Sequence, residues 1–354
     1  MAPLQKSLEP SIPPERNSCM VSKDTRGYRL AIVNPMTLVG SELKTLLHEQ
    51  GLDFQKVTLL ASSEEERGSV TEVLNEPALV QPISASELED CDLVFFCGSA
   101  EDNQPWIETH RAAQFIAIDL SQPSIVDGMP VVAGVNSGAV NEDASVIVSP
   151  HPAATPLILL LNAIRQASPI ELCVATVIQP ASEKGQAGID ELLGQTISVL
   201  NAKSISKDIF GRQLAFTLYP SPEATRDELY VADQVRAALG DPHLHVSVSL
   251  AQGSVFHGHT FSVFVKCGSA TDRSRIVEAI NASGSLEIMD EDDPASTIEA
   301  AGRDEVLIGR IKDDPYVEGG FTIWMVADNL RRSTALNAVL VAEDLLARFR
   351  LIAN

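Results

Sequence analysis

The segment best suited to chemistry is a strand, a short turn and a helix over residues 145–161. Threonine followed by proline is a common helix start, so we expect Thr155 to be the N-cap and Pro156 the first helical residue. The free amides of such a helix face the turn, where they favour an anion or a cysteine thiolate. The turn holds His151 and Pro152 but no cysteine and no acid, so a nucleophile site is built without its reactive atom.

A second candidate is the imidazole group at Val255–His259. On a strand, His257 and His259 face the same side, and Gly258 allows close backbone approach. One of them is a candidate general base, and a structural or exposed pair is the alternative. No nearby acid or cysteine completes a first shell, so we predict no metal site. His151 is a third imidazole, which we expect to be a neutral hydrogen-bonding group or an ordinary loop residue.

A third candidate is the turn Asn34–Gly40, between the first predicted strand and helix. Dinucleotide-binding turns place glycines there so that the backbone can approach a pyrophosphate, and here only the last one is present. We predict a vestigial nucleotide turn, with nucleotide binding as the alternative. After the second predicted strand, Glu64–Glu66 would repel a phosphate, and we expect a solvated charge run. The candidate cofactor contacts are Thr37, Val39, Gly40 and Ser62.

The composition narrows the class of protein. A net charge of −22 argues against binding to nucleic acid or to an anionic membrane surface, and no apolar run reaches transmembrane length. Five cysteines without a CxxC pair fit reduced, cytoplasmic thiols rather than a disulfide framework or a zinc site. Cys97 ends a predicted strand at the rim of the sheet where folds of this class bind their ligands. The alternatives are a displaced nucleophile and an inert buried thiol, and we expect the inert thiol.

The elements that position these residues fall into two groups. Residues 1–27 are predicted to be a disordered lead-in. Strand–helix alternation over residues 28–154, beginning with a buried strand at Tyr28–Val33 and a leucine-patterned helix at Gly40–Gln50, predicts an α/β domain with a doubly wound parallel sheet. Longer strands with segregated helices over residues 155–330 predict an α+β domain whose open sheet face needs a cover, so we expect a homodimer. Within these domains we also expect a short strand at Val131–Gly134, an acidic loop at 287–300, and Ser333 as the N-cap of the last helix.

Three stretches carry a resemblance to a known family. The most specific is the block 308–339, which contains IGRI, DP, WMVADNLR and ALNAV; QLAFTLYP at 213–220 and VFHGH at 255–259 support it. In these stretches the chain resembles the aspartate-semialdehyde dehydrogenases of amino-acid biosynthesis, from about Tyr28 to its C-terminus.

The resemblance implies a Rossmann-like domain, completed by the helix at 331–354, and an α+β dimerisation domain. Such enzymes reduce an aspartyl phosphate to the semialdehyde with NADPH through a cysteine thioester. The resemblance places the catalytic base at His259, the glutamine that positions the acyl group at Gln179, a cofactor contact at Asn329 and the nucleophile at Pro152.

The departures from the family share one theme, the loss of reactive and cationic groups. Proline cannot form a thioester, and substrate anions need paired cations. The resemblance places the family's basic positions at Ile125 and Gln252 and near Glu64 and Tyr230.

We therefore expect a catalytically inactive member of a nucleophile-lacking branch, a cytoplasmic homodimer that binds or scaffolds. Two alternatives stay open. One is an NADP-dependent oxidoreductase with altered chemistry, using His259 or His257 as base. The other is a subunit that pairs with an active paralogue.

Overall fold

The computed structural model describes residues 27–353 except 51–53, 65, 110–114, 142–143, 222–223, 269–270 and 291–294. The predicted N-terminal lead-in therefore lies outside the described residues, apart from Gly27. Among the described helices, none is long and apolar enough to cross a membrane.

The first half of the described chain forms a seven-stranded sheet with the order β5-β2-β1-β6-β7-β9-β8, and its strand pairs are parallel. Its strands β2 and β6 flank β1, so the order reverses there and opens a crevice at the carboxyl ends of these strands. The elements are β1 (Tyr28–Val33), α1 (Leu38–Glu49), β2 (Phe54–Ala61), β3 (Val70–Val73), β4 (Glu76–Leu79), β5 (Gln81–Pro82), α2 (Ala85–Glu89), β6 (Leu93–Phe96), α3 (Ala100–Thr109), β7 (Ile116–Asp119), β8 (Met129–Pro130), β9 (Val146–Val148) and α4 (Ala154–Ala167).

The second half forms a mixed seven-stranded sheet with the order β11-β12-β10-β13-β16-β15-β14. Its elements are β10 (Ile170–Gln179), α5 (Gly185–Leu200), β11 (Leu218–Pro220), α6 (Ala224–Leu239), β12 (His245–Gly253), β13 (His259–Cys267), α7 (Arg273–Asn281), β14 (Leu286–Ile288), α8 (Thr297–Ala300), β15 (Val306–Asp313), β16 (Gly320–Ala327) and α9 (Leu336–Ala353). The predicted fold class, a doubly wound parallel sheet plus an α+β domain, is confirmed.

Apolar periodicity explains how the layers pack. Leu43, Leu46 and Leu47 recur at helical spacing and bury one face of α1 against the first sheet. The C-terminal helix α9 joins the same core beside α1, so the chain returns to the first sheet after completing the second. On the second sheet, α4, α6 and α7 cover one face. The opposite face keeps Val174 and Trp324 exposed.

Three predicted elements are wrong in detail. The strand expected at Val131–Gly134 lies at Met129–Pro130. The amide of Val131 still donates to the carbonyl of Val148 on β9, but the next two donate to side chains instead of a strand: Val132 N to Asn136 and Ala133 N to Asn337. The acidic loop expected at 287–300 contains the end of β14 and all of α8.

The third error concerns the start of the last helix. Ser333 is not its N-cap, because a π-helical turn at Arg331–Ala335 runs directly into α9. The Ser333 hydroxyl is buried and makes no hydrogen bond in the described part of the chain. Wide turns of this kind occur often at functional sites.

Candidate active site

The turn before α4 is capped by an imidazole. The helix begins at Ala154 and its N-cap residue, Ala153, offers no side-chain acceptor, so the prediction that Thr155 is the N-cap is wrong. Instead, Nδ1 of His151 accepts a hydrogen bond from Ala153 N at 3.0 Å, and its carbonyl accepts from the next two amides. The Thr155 hydroxyl is left buried without a hydrogen-bond partner among the described residues.

His151 is a fixed, uncharged donor. The residue is buried, and its amide donates to Oε1 of Gln234 on α6 at 2.7 Å. Because Nδ1 accepts a hydrogen bond, the ring proton sits on Nε2. Burial lowers the pKa of His151 to about 4, so the ring is neutral near pH 7. The prediction of a neutral hydrogen-bonding imidazole therefore agrees with the structure.

No thiol replaces the missing nucleophile within the described residues. Pro152 is buried in the turn. Cys97 lies in the core of the first sheet, where burial raises the pKa of its thiol, and it makes no hydrogen bond to an imidazole in that part of the chain. The other described cysteines, Cys91, Cys173 and Cys267, are also buried with raised pKa values. The expectation that Cys97 is an inert buried thiol matches this environment.

The two histidines of the 255–259 segment do not act as a pair. His257 lies in the link between β12 and β13 and is exposed, whereas His259 begins β13 and is fully buried. Gly258 separates them at a φ of 84°, which turns the chain and breaks the strand alternation on which the prediction of a shared face rested. Only His259 faces the site beside His151.

The side chain that His259 meets is Glu183, a residue that the sequence did not single out. Nε2 of His259 lies 3.3 Å from Oε1 of Glu183, but neither ring nitrogen makes a hydrogen bond in the described chain. Burial, together with the nearby His151, lowers the pKa of His259 well below its usual value. Burial raises the pKa of Glu183 to about 7, against a hydrogen bond from Asn329 that lowers it.

Asn329 ties this corner together. Its Oδ1 accepts from Gly258 N at 2.9 Å, and its Nδ2 donates to Ser182 at 3.0 Å and to Glu183 at 3.3 Å. The Asn329 side-chain amide thus connects Gly258, just before β13, to the helical turn at Ala181–Lys184. Its hydrogen-bonding groups are occupied within the chain, although the resemblance makes it a cofactor contact.

The remaining positions expected near a substrate carry no cation. Gln179 ends β10 and is buried, and its carbonyl accepts from Nε2 of Gln252 at 3.0 Å. Tyr230 accepts from Ser124 N at 3.2 Å, and burial raises the pKa of its phenol to about 12, so it is neutral. Ile125 is exposed. The substrate-side positions that the resemblance assigns to basic groups, Gln252, Tyr230 and Ile125, therefore hold an amide, a phenol and an alkyl group.

The nucleotide turn is closed by its own side chains. Asn34, at a φ of 57°, accepts from Ser62 N and Oγ and donates to the carbonyl of Cys97, so it bridges the ends of β1, β2 and β6. Thr37 caps α1 by accepting from Gly40 N at 3.0 Å. A Cβ on Gly40 would lie 2.7 Å from Asn34 O, so this glycine serves close packing.

The acidic run beyond β2 does not behave as one solvated face. Glu64 is exposed beside Arg67, as predicted. Glu65 lies outside the described residues. Glu66 is half-buried, and its carboxylate accepts a hydrogen bond from Met36 N at 3.2 Å, so the prediction is wrong for this residue. An amide that would face a phosphate is thus already bonded to a carboxylate, and the turn does not fit a dinucleotide phosphate. Val39, the remaining predicted contact, packs against the core.

Comparison with known proteins identifies the family. Residues 29–143 match the NAD binding domain of semialdehyde dehydrogenases, and residues 161–332 match their dimerisation domain. The chain is 30% identical over 339 residues to the aspartate-semialdehyde dehydrogenase of Rickettsia bellii, which covers 92% of this chain and 99% of that protein. The chain belongs to the aspartate-semialdehyde dehydrogenase family.

Other members of the aspartate-semialdehyde dehydrogenase family show how far the likeness extends. The USG-1 protein homolog of Pseudomonas aeruginosa is 29% identical over 332 residues, or 90% of this chain and 98% of that one. The crystal structure of aspartate semialdehyde dehydrogenase II from Vibrio cholerae superimposes with a TM-score of 0.86 at 28% identity, covering 91% of this chain and 99% of that chain. The likeness therefore spans both sheets.

Within this family framework, Gln179, His259 and Asn329 lie at adjoining ends of β10, β13 and β16, and His259 is close enough to His151, in the turn that holds Pro152, for the two imidazoles to interact electrostatically. Glu183 lies beside them. The one sequence signal for this residue is its position in the family-like stretch Ser182–Gly185 that follows Gln179. No group of three or more histidine, cysteine or acidic side chains in the described residues could hold a metal ion.

Proposed function

We propose that this protein is a non-catalytic member of the aspartate-semialdehyde dehydrogenase family, a cytoplasmic homodimer that acts as a binding or scaffold protein. One observation carries the proposal. Pro152 occupies the turn before α4, beside the uncharged His151, and the thiols of the described chain are buried elsewhere with raised pKa values. Acyl transfer through a thioester needs a thiolate that can reach the substrate.

The rest of the site supports the same proposal. A general base works best with a pKa near the working pH, whereas burial and the nearby His151 hold the pKa of His259 well below that range. The family's basic positions are uncharged at Gln252, Tyr230 and Ile125, so an acyl phosphate would lack counter-charges.

The homodimer is supported by the open face of the second sheet. Val174 and Phe264 pair across β10 and β13, and Trp324 lies farther across the same face on β16. Bulky apolar groups on an uncovered sheet face favour a second subunit as cover. A mixed dimer with an active paralogue would use the same face; mass-resolved light scattering of the purified protein, alone and mixed with such a paralogue, distinguishes the two.

The decisive test is a dehydrogenase assay. The purified protein is incubated with aspartate semialdehyde, phosphate and NADP⁺, and NADPH formation is followed by absorbance. We expect no turnover above background. Turnover that the His259→Ala variant abolishes would overturn the proposal, because it would show that this site carries out the family's reaction without a cysteine.

A further inference from the structure

The turn before α1 holds a carboxylate where nucleotide-binding sheets hold a phosphate. Oε2 of Glu66 accepts a hydrogen bond from Met36 N at 3.2 Å, one residue before the Thr37 cap of α1. Amides at this end of a helix, together with the positive end of its dipole, form the usual anion site of a doubly wound sheet. The anion seated there is part of the chain itself.

The carboxylate is held in place by its surroundings. Glu66 is half-buried, and its backbone carbonyl accepts from Ser69 N, which fixes the loop that carries it. Burial raises the pKa of Glu66, and the hydrogen bond from Met36 N and the nearby charge of Lys44 oppose that rise. The ammonium of Lys44 is itself held by donating to Thr71 on β3 at 2.7 Å.

Several neighbouring groups of the turn are also bonded within the chain. The amides of Gly40 and Ser41 donate to the side chain and the carbonyl of Thr37. Asn34 fills the crevice between the strand ends with hydrogen bonds to Ser62 and Cys97. A phosphate reaching this turn would have to displace Glu66 and then remain beside its charge, and like charges at this distance repel strongly in a partly desolvated site.

We propose that Glu66 is an internal ligand of the α1 turn that keeps phosphate groups out of the family's nucleotide-binding crevice. Two features of this chain would then exclude phosphate from the crevice: the Glu66 carboxylate and the absence of the glycines that let a backbone approach a pyrophosphate. This inference is independent of Pro152: a protein could lack the nucleophile and still bind a dinucleotide.

The test compares three proteins by isothermal titration calorimetry with inorganic pyrophosphate and with NADPH. Glu66→Gln keeps an acceptor for Met36 N but removes the charge, and we expect it to bind pyrophosphate at least tenfold more tightly than the natural protein. Glu64→Gln is the matched control, because it removes the same charge from an exposed position in the same run. We expect the control to bind as the natural protein does.

Two outcomes would overturn the proposal. One is equal affinity of the natural protein and Glu66→Gln for pyrophosphate. The other is an equal gain in Glu64→Gln, which would assign the effect to overall charge. Glu66→Ala, which removes the carboxylate without leaving a polar substitute, is tested in parallel, and circular dichroism verifies that each variant is folded. Pyrophosphate affinity and dehydrogenase turnover are separate measurements, so a negative result for Glu66 leaves the proposed function unchanged.

Discussion

His259 and Glu183 face each other across 3.3 Å at the point where the turn after β10 meets the start of β13. His259 is fully buried and the Glu183 side chain is 12% exposed, and no described residue donates a hydrogen bond to either nitrogen of the imidazole. Two bare acceptors this close repel, so a proton lies between them, on Nε2 of the neutral imidazole or on the carboxyl, and the burial of Glu183 favours the protonated carboxyl. No local sequence pattern brings these two residues together.

Replacing Glu183 with glutamine should remove a pH dependence of stability. The pKa of this carboxyl rises from the ordinary 4.5 to about 7 on folding. Between these values the folded protein holds a proton that the unfolded chain has released, so stability falls as pH rises through the window, by at most about 3 kcal/mol. The free energy of urea unfolding at about pH 5 and about pH 8 measures this difference. The same slope in Glu183→Gln and in the natural protein would contradict the prediction.

His151 should produce the opposite slope. Its pKa falls from 6.5 to about 4 on folding, so the unfolded chain takes up a proton first as the pH drops. Stability is therefore lost as pH falls through this window, by at most about 3 kcal/mol. His151→Asn retains an oxygen that can accept from Ala153 N, and should show a smaller loss between about pH 7 and about pH 5. The exposed His243→Asn is the control; an equal reduction there would argue against the assignment.

Arg331 should be a stability determinant that joins the two sheets. Its guanidinium donates to Glu42 and Glu49 of α1 and to Asp304 before β15, and its side chain is 11% exposed. We expect Arg331→Met to cost about 2 kcal/mol, because it leaves the half-buried Glu42 without its cation.

The matched control for Arg331 is Arg67→Met, which breaks the exposed pair with Glu64 and should cost less than about 0.5 kcal/mol. Both free energies come from urea unfolding. Equal costs for the two variants would show that the buried network contributes no more than a surface ion pair.

Two variants of Asn34 should separate the free-energy cost of its backbone conformation from that of its lost hydrogen bonds. Both Asn34→Ala and Asn34→Gly lose the bonds to Ser62 and Cys97, but only glycine adopts a φ of 57° without strain. We expect alanine to be about 1 kcal/mol less stable than glycine at this position. Thermal unfolding of the two variants side by side measures the difference, and an alanine variant at least as stable as the glycine variant would contradict it.

Local patterns predicted the elements well where one periodicity dominated. The run Tyr28–Val33 and the leucines of the following helix are read correctly because burial and period agree. The short hairpin of β3 and β4 was not predicted, because its turn depends on Leu74 and Asn75 at positive φ and its strands are half-exposed. The predicted helix start at Pro156 is two residues late because His151, rather than a hydroxyl, satisfies the first amides: its imidazole accepts from Ala153 N, and its carbonyl accepts from the amides of Ala154 and Thr155.

The amino-acid sequence by itself determined the chemistry that is missing: a proline has no thiol and a phenol or an alkyl side chain carries no cation, whatever the fold. It also determined the two sheets, because apolar spacing along the chain specifies which faces are buried. Only the tertiary structure decided that Glu183 meets His259, that His257 does not, and that Glu66 reaches the amide of Met36. These contacts join residues far apart in the chain, and their positions depend on strand order and loop conformation rather than on any local preference.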